Sequence, residues 1–462
     1  MTKGKAAQMP ATDTQRSGEA SSGLGRLREA ARRDRQLRFT NLMHHLTVDL
    51  LREAYHALRR DAATGVDGMT WQEYGETLES RLPDLHDRVQ SGRYRAQPSR
   101  RIWLPKPDGR ERPIGIASLE DKIVQQALVW VLEQIYEEDF VDFSYGFRPG
   151  RAPHDALDAL YVGLSRQKVD WVLDLDIESF FDRIDHDWLM KFLEVRIGDP
   201  RVLRLIRKWL KAGVQDEEGT RTETQEGTPQ GAVISPLLAN VYLHYALDLG
   251  ASRWEHDEAQ GAMLMVRYAD DVVVGFQSHR DAERFREWLT ERLGKFRLTL
   301  HPTKTRLIEF GRFAAARRAA RGEGKPETFD FLGFTHICSK TKKHGWFTVR
   351  RQTMKKRLRA KIRQVCEALM RHRHESVEKQ GRWLRSVVQG HFNYYAVPGN
   401  KPSLETFRTE VIKGWLRALR RRSQRGQSFP WERLSRHVRK WIPTARILHP
   451  YPSQRLSVTH PR

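Results

Sequence analysis

The sequence predicts an α+β fold, and three observations support this prediction. Helical periodicity dominates both ends of the chain, strand-like and helix-like segments alternate in the middle, and the last quarter is strongly basic. We expect five successive parts: a disordered basic tail over residues 1–25, a helical extension over 26–100, a mixed strand and helix region over 101–335, a helical domain over 336–400 and a basic helical module over 401–462.

Local patterning predicts the elements of each part. Residues 1–25 are rich in Ser, Gly, Thr and Gln, which favours disorder, and helical periodicity begins near Leu27. Clusters of Gly, Pro and Asp separate the elements that follow. These are helices at 46–58 and 71–82, strands at 101–104 and 112–116, a helix at 120–138, a strand at 170–176, helices at 185–212 and 235–250, a hairpin at 263–275, a helix at 280–296, a loop at 311–328, a strand pair at 331–349, helical sequence at 353–395 and a break at 398–402.

The distribution of charge indicates a polyanionic partner. The chain has 81 Lys and Arg against 58 Asp and Glu, a net charge of +23. Residues 350–462 contain 28 of these cations and 6 of the acids, so they supply +22 of the total. Such a basic region with interleaved Trp and Tyr is typical of nucleic-acid binding, and a solvated basic helix surface is the alternative.

Cysteine content and hydropathy exclude several classes of protein. The two cysteines, Cys338 and Cys366, cannot form a disulfide framework or a four-thiolate zinc site. No apolar run approaches the roughly 20 residues that span a bilayer, and the start of the chain lacks the apolar core of a signal peptide. We expect a cytoplasmic protein that does not use a membrane.

Adjacent carboxylates mark the candidate catalytic centre. Asp270 and Asp271 lie at the predicted tip of a hairpin, between runs too apolar for a solvent loop. A third acid, Asp176, ends an apolar strand, and the carbonyl of Ile177 can add another oxygen ligand. Carboxylates can hold two divalent ions about 4 Å apart for nucleotidyl transfer. The pattern predicts a nucleic-acid polymerase with two Mg²⁺ ions, replaceable by Mn²⁺, that Asp176 and Asp270 bridge and Asp271 binds more peripherally.

Simpler interpretations exist for isolated acids in this region. An Asp-Asp pair alone is more typical of a turn cap, and its apolar flanks together with Asp176 favour the metal site. We expect two further acids, Asp174 and Asp182, to face the other side of the strand or to cap the next helix.

Several sequence blocks occur in a fixed order around these acids. They are Leu104-Pro105-Lys106-Pro107-Asp108-Gly109, Ser144-Tyr145-Gly146-Phe147-Arg148-Pro149-Gly150, Asp176-Ile177-Glu178-Ser179-Phe180-Phe181-Asp182, Gly227-Thr228-Pro229-Gln230-Gly231, Tyr268-Ala269-Asp270-Asp271 and Phe331-Leu332-Gly333-Phe334. Together they resemble the blocks of bacterial group II intron reverse transcriptase/maturases over residues 44–335, and 390–395 extends the resemblance. Relatives with a target-cutting endonuclease carry Cys pairs near the C-terminus, and none follows Tyr451, so the lineage without that domain is the better match.

The resemblance implies a right-hand polymerase with fingers and palm over 101–335, a thumb corresponding to the maturase X domain over 336–400 and a nucleic-acid-binding module after it. It implies an RNA-directed DNA polymerase that adds dNTPs to a primer 3′-hydroxyl. Its partners would be group II intron RNA or another structured RNA template and a DNA primer or target, with a splicing role in intron mobility. The alternatives are a non-catalytic RNA-binding splicing cofactor and a domesticated reverse transcriptase in phage defence or repair.

The resemblance also implies residues that contact the incoming nucleotide. Lys106 and Arg112 correspond to cations that hold the triphosphate, which agrees with phosphate electrostatics. Phe181 corresponds to an aromatic that crowds a ribose 2′-hydroxyl, and Gln230 to an amide that contacts the sugar and the templating base. Without the family these residues would be solvated cations, a core Phe and part of a turn.

A final group corresponds to positions that contact template and primer. Gly231 allows close backbone approach, Lys304 is a basic position of a later block, and Leu332-Gly333 matches a primer-gripping turn. Ordinary packing or a tight turn would explain these residues equally well. The basic helical run resembles a thumb that tracks a duplex backbone through Lys355, Lys356, Arg359 and Arg363.

Overall fold

The first described part of the chain, from residue 17, is helical. The structure, a computed structural model, describes residues 17–105, 111–216, 218–222, 224–228, 231–422 and 430–459. α1 begins inside the segment predicted to be disordered, and the helix predicted at 71–82 is two helices that meet at Thr77. The side chains of Thr47 and Thr70 cap α2 and α3. The bounds are α1 (Ser17–Arg33), α2 (Val48–Ala57), α3 (Trp71–Glu76) and α4 (Leu78–Gln90).

A small four-stranded sheet follows, built on the predicted hairpin. β1 (Ser99–Pro105) and β2 (Glu111–Ile116) pair antiparallel. β4 (Val214–Gln215) pairs with β1 and with β5 (Arg221–Thr222), so the strand order is β2-β1-β4-β5. Two helices lead from this sheet to the central region, α5 (Leu119–Asp139) as predicted and α6 (Pro153–Arg166), which was not predicted.

The central sheet carries the candidate catalytic acids. Its strands are β3 (Trp171–Leu175), β6 (Met263–Tyr268), β7 (Asp271–Phe276) and β8 (Arg306–Glu309), in the order β6-β7-β3-β8 with every neighbour antiparallel. β7 is almost wholly buried, which explains its run of apolar residues. The predicted strand and hairpin are therefore present, and they pair with each other.

Five further helices of the described chain share a hydrophobic core with this sheet. The predicted helix at 185–212 is two helices, because Asp199 caps a new one that has Pro200 at its first turn. The predicted helix at 235–250 is interrupted by a π-helical turn, His244–Asp248. The bounds are α7 (His186–Arg196), α8 (Pro200–Lys211), α9 (Ser235–Leu243), α10 (Leu249–Asp257) and α11 (His279–Lys295).

A three-stranded sheet connects the central region to the last helices. β9 (Phe329–Phe331), β10 (Phe334–Lys340) and β11 (Phe347–Thr353) form an antiparallel meander. The prediction of a loop at 311–328 was wrong in part, because α12 (Ala314–Ala320) lies within it. Ala314 is fully buried at the start of this helix, so a small apolar contact anchors a segment that looks polar in sequence.

The C-terminal helices share one hydrophobic core. The core runs from Val365 to Ile442 and includes the fully buried Trp415. The predicted division near residue 400 therefore cuts through a single packed unit. Asn400 explains this, because its side chain hydrogen-bonds Thr353 and the Tyr395 carbonyl, which makes the Pro-Gly break a buried turn. The helices are α13 (Lys355–Arg371), α14 (Val377–Tyr395), α15 (Lys401–Arg420), α16 (Trp431–Trp441) and α17 (Pro452–Thr459).

The end of the described chain returns to the central region. α17 packs against α6, where Arg455 donates to a carboxylate oxygen of Asp158. The other Asp158 oxygen accepts from Arg351 of β11 at 2.9 Å. Asp158 and Arg351 are buried, so this acid joins three separate elements.

The arrangement confirms the α+β prediction, with small sheets among many helices. In the parts of the chain that the structure describes, no helix is both long and apolar enough to cross a bilayer.

Candidate active site

A two-residue turn carries the first candidate acid. Tyr268 and Asp271 are paired residues at the ends of β6 and β7, so Ala269 and Asp270 alone make the connection. Ala269 has φ 57°, in the left-handed region that only a minority of non-Gly residues adopt. The turn places Asp270 at its tip and Asp271 on the first position of β7, as the sequence predicted.

The strand register brings the third acid to the same place. Leu175 of β3 pairs with Val272 of β7, so the next residues outward along the two strands are Asp176 and Asp271. Directly opposed Cα atoms in antiparallel strands are about 4.5–5.5 Å apart. Asp176 and the Asp270-Asp271 pair therefore meet at one edge of the central sheet, although about 95 residues separate them in the chain.

The neighbouring cations do not fully compensate the repulsion between the acids of this cluster. The pKa of Asp271 is raised to about 6 by desolvation and by the carboxylate of Asp270, with smaller contributions from Asp176 and Asp174. Arg357 opposes the shift, but does not cancel it. A divalent cation would lower this repulsion, which is the electrostatic property expected of a metal site.

Lys304 supplies one cation to the cluster. Its Nζ donates to Asp176 Oδ2 at 2.6 Å, and both side chains are partly exposed to solvent. Lys304 was predicted to contact template or primer, whereas here it contacts Asp176, a candidate catalytic acid. The ammonium group occupies one of the oxygen positions that a metal ion would use.

The donor set suits a hard divalent cation, since it consists of oxygen atoms. The carbonyl of Ile177 accepts no hydrogen bond from the described residues, while its neighbours Asp176 and Glu178 bond to the segment around Leu300. The predicted oxygen ligand is thus available. Within the described ranges, no three acidic, His or Cys side chains are already close enough to form a complete metal site.

Of the two acids that were not expected to bind metal, Asp174 and Asp182, the first lies closer to the candidate site than predicted. Two residues before Asp176, it pairs with Arg306 of β8 at 3.4 Å, and its pKa is raised to about 6 by burial. Alternation along a strand puts residues i and i+2 on the same face, so the prediction of the opposite face was wrong. Asp182 does not cap the next helix either, because Asp185 does so.

The two adjacent phenylalanines have different environments. Phe180 is buried in the core, whereas Phe181 is only partly buried. The Thr228 N–H donates to the Phe181 carbonyl at 2.9 Å, and Gly227 has φ 82° with no room for a side chain against the same carbonyl. Gly227 and Thr228 therefore lie against the backbone of Phe181.

Gly231 lies against the hairpin of the small sheet. A Cβ at this position would be 2.7 Å from the Gly115 carbonyl oxygen, and its φ of 116° also favours glycine. Of the other predicted nucleotide contacts, Lys106 and Gln230 lie outside the described residues. The backbone of Arg112 lies on β2 opposite Leu104, but its side chain is not among the parts of the chain that the structure describes.

The predicted primer-gripping turn packs against two C-terminal helices. Leu332 and Gly333 connect β9 to β10 in a two-residue turn with φ values of 47° and 85°. The Tyr394 hydroxyl donates to the Leu332 carbonyl at 2.7 Å. A Cβ on Gly333 would lie 3.1 Å from Nη1 of Arg357, the α13 cation that also interacts with Asp271. Arg357 thereby links the turn to the acids, a role that the sequence analysis did not predict.

The four predicted cations of α13 are accessible. Lys355, Lys356, Arg359 and Arg363 are all exposed, and the first, third and fourth recur every four residues along one face. None of them has an acidic partner within the described parts of the chain.

Sequence reasoning missed a buried ion pair behind the catalytic turn. Arg267 and Asp248 are both fully buried, with Arg267 Nη2 at 2.5 Å from Asp248 Oδ2. The available signal was an arginine inside an apolar strand, since a buried charge requires a buried partner.

Comparison with known proteins shows which chains this one is similar to. Residues 104–336 match the family described as reverse transcriptase (RNA-dependent DNA polymerase). Protein YkfC of Escherichia coli K12 is 36% identical over 273 residues, which cover 53% of this chain and 71% of YkfC.

Two further relatives have names that refer to introns. The group II intron-encoded protein LtrA of Lactococcus lactis subsp. cremoris is 36% identical over 208 residues, covering 45% of this chain and 34% of LtrA. Nuclear intron maturase 1, mitochondrial, of Arabidopsis thaliana is 33% identical over 101 residues, covering 22% of this chain and 13% of that protein. The chain thus spans most of YkfC and about a third of LtrA.

Proposed function

Because the chain belongs to the reverse transcriptase family of RNA-dependent DNA polymerases, we propose that it extends a DNA primer on an RNA template with two Mg²⁺ ions at Asp176, Asp270 and Asp271. One observation carries the proposal. The register of β3 against β7 puts acids from two distant parts of the chain at the same sheet edge.

The residues of this edge have distinct roles in the proposed reaction. Two bound divalent ions would polarise the primer hydroxyl and neutralise charge on the triphosphate. Asp176, Asp270 and Asp271 would hold these ions, and the Ile177 carbonyl would contribute a further oxygen. Lys304 would have to release Asp176 Oδ2 for a metal ion to use that oxygen, since one carboxylate oxygen cannot serve both cations fully.

The nucleotide lies between the acids and the small sheet. Phe181 is half-buried, with Thr228 bonded to its carbonyl, and at this position a large ring would exclude a ribose 2′-hydroxyl. Lys106 and Arg112 hold the triphosphate, and Gln230 contacts the sugar and the templating base. Their support is the resemblance of the sequence blocks together with the position of the β1–β2 hairpin beside Gly231.

The template and primer lie along the C-terminal helices. The exposed cations of α13 would contact backbone phosphates, and Leu332-Gly333 would hold the primer end near Asp271. Residues 336–400 serve as the thumb. The helices α15 and α16 enlarge the surface with which the thumb contacts nucleic acid. The intron names of the relatives support structured intron RNA as the template and a role in splicing and mobility. Both cysteines are free thiols, which suits a reducing cytoplasm.

An extension assay tests the proposal. The Asp270→Ala variant should lose Mg²⁺-dependent extension of an oligo(dT) primer on poly(rA), because one bridging ligand is missing, while its RNA affinity stays within about twofold. Asp182→Ala is the matched control, since it removes an exposed acid from the block that follows Asp176, and it should retain extension. Full extension by the Asp270 variant would refute the metal assignment.

A further inference from the structure

Arg267 contacts the catalytic turn through a completely satisfied guanidinium group. The side chain is fully buried, and each of its five N–H donors has an acceptor. The acceptors are Asp248 Oδ1 at 2.7 Å, Asp248 Oδ2 at 2.5 Å, Asn240 Oδ1 at 3.0 Å, Ser144 Oγ at 2.6 Å and the Ala269 carbonyl at 3.0 Å. The last of these is the turn itself, because the Ala269 carbonyl belongs to the peptide that joins Ala269 to Asp270.

The same residues hold the backbone behind the turn. Arg267 N–H donates to the Phe143 carbonyl, and Tyr145 N–H donates to the Arg267 carbonyl, both at 2.8 Å. Asn240 Nδ2 donates to the Gly146 carbonyl at 2.7 Å. A Cβ on Gly146 would come within 2.2 Å of the Ala269 nitrogen, so this segment presses directly against the turn.

The turn needs such support because its backbone is strained. Ala269 has a left-handed φ of 57° without the freedom of glycine, and this conformation persists only where surrounding contacts enforce it. The Gly146 contact is at the Ala269 nitrogen and the Arg267 hydrogen bond is at the Ala269 carbonyl oxygen, so they act on the two peptide groups that flank the Ala269 Cα. Together they fix the direction in which Asp270 leaves the turn.

A local change in helix geometry positions the counter-charge. Asp248 is the last residue of the π-helical turn between α9 and α10. An α-helix advances about 100° per residue, so without the extra residue of a π turn Asp248 would rotate away from Arg267. Asn240 lies on α9, which means that one interrupted helix supplies two of the partners of Arg267.

We propose that Arg267, held by Asp248, Asn240 and Ser144, is a positioning residue that sets the geometry of the metal-binding turn and thereby the metal affinity of the site. This inference rests on the proposed function, because it assigns a purpose to the precise placement of Asp270. Arg267 touches neither substrate nor metal. Its effect passes through the Ala269 peptide.

Arg267→Lys is the informative substitution. A lysine keeps the positive charge beside Asp248 but cannot reach Asn240, Ser144 and the Ala269 carbonyl at once. We expect the Mg²⁺ concentration for half-maximal extension to rise about tenfold or more, the usual effect of losing a residue that orients a metal ligand. Direct Mn²⁺ binding, measured by electron paramagnetic resonance, should weaken by a similar factor, whereas KM for the template–primer duplex should stay within about twofold.

Arg196→Lys is the matched control. Arg196 is also a buried arginine, 2.9 Å from Asp139 and bonded to the carbonyls of Asp34 and Leu37, with no contact to the catalytic turn. It should lower the melting temperature as Arg267→Lys does, without changing the metal requirement. Equal metal requirements in the two variants would overturn the proposal.

A milder variant covers the case in which Arg267→Lys does not fold. Ser144→Ala removes a single acceptor of Arg267 and should raise the Mg²⁺ concentration for half-maximal extension about threefold. An unchanged Mg²⁺ requirement in this variant would count against the proposal. Failure of the proposed function would give a different result. The wild-type protein would then show no Mg²⁺-dependent extension, and Asp270→Ala would not change its Mn²⁺ signal. If wild type passes and both Arg267 and Ser144 variants match it, only the positioning role is lost.

Discussion

The ammonium group of Lys304 lies 2.6 Å from Asp176 Oδ2, on one of the oxygen atoms proposed to bind metal. Asp176 directly follows β3 and Lys304 shortly precedes β8, and the two residues are 128 positions apart in the chain. A cation from the protein thus partly compensates the charge of the acidic cluster, and it would have to leave the carboxylate for a metal ion to bind there.

Replacing Lys304 should therefore strengthen binding of metal to the free protein. In Lys304→Met, Mn²⁺ no longer competes with an ammonium group, and a partly exposed ion pair of this kind is worth roughly a two- to fivefold change in affinity. A Mn²⁺ titration at low ionic strength measures the effect. Lys295→Met, at an exposed lysine that ends α11, should leave the affinity unchanged. Weaker binding in the Lys304 variant would contradict the competition.

The raised pKa of Asp271 predicts that metal binding depends on pH. Metal requires the ionised carboxylate, so apparent affinity should fall as the pH drops through about 6. Metal titrations between pH 5 and 8 would detect this change, and a flat profile would argue against Asp271 as a ligand.

The same pKa predicts an effect on stability in the absence of metal. A carboxyl whose pKa is raised on folding binds its proton more tightly in the folded state, so its contribution is favourable below its ordinary pKa and is lost as the pH rises through about 6. Asp271→Asn should therefore raise the melting temperature of metal-free protein at pH 7.5, with the gain disappearing towards pH 4. Glu287→Gln, an exposed acid of α11, should show no such trend.

Phe181 is expected to control sugar selectivity. Phe181→Val should increase incorporation of ribonucleotides relative to deoxynucleotides by about ten- to hundredfold, because a smaller side chain leaves room for a 2′-hydroxyl. Single-nucleotide extension with rATP and dATP on a poly(rU) template measures the ratio. Phe180→Leu, in the buried neighbour, should lower stability but keep the preference for dNTPs. A shift with Phe180 alone would identify that residue as the gate.

The exposed face of α13 should govern the salt dependence of nucleic-acid binding. Each duplex phosphate contact contributes about 0.9 to the slope of log affinity against log salt, so Arg359→Gln with Arg363→Gln should flatten the slope by nearly 2. The control is Arg280→Gln with Lys295→Gln on α11, which removes the same charge from exposed positions elsewhere. Identical slopes in the two double variants would exclude a phosphate-contacting role for α13.

The elements of the central sheet could be predicted because their sequence signals are local. The apolar run of β3 is followed by Asp176 and that of β7 begins at Asp271, so each strand could be predicted from its own residues. By contrast, nothing local in the sequence around Lys304 indicates that it faces Asp176. That contact depends on the path of the chain between Leu298 and β8, where the Ile177–Leu300 bridge brings the two segments together.

The helix boundaries and the last domain division were harder to predict for a related reason. The signals at Gly198-Asp199-Pro200 and at Pro398–Pro402 are both breaks, but the first separates two helices and the second folds α15 back onto the core of α13 and α14. Deletion of the residues after Pro398 would remove Trp415 and expose the core residues of α13 and α14 that pack with it. The deletion would therefore unfold the helical part in addition to removing charge. Charge substitutions on exposed positions are the cleaner experiment.

The attachment of Arg455 and Arg351 to the same carboxylate has a mechanical consequence. The helical part leaves the body of the protein through β11 and comes back to it through α17, with Asp158 fastening both ends. Because a single buried carboxylate holds both ends, loss of Asp158 would release β11 and α17 from α6 together.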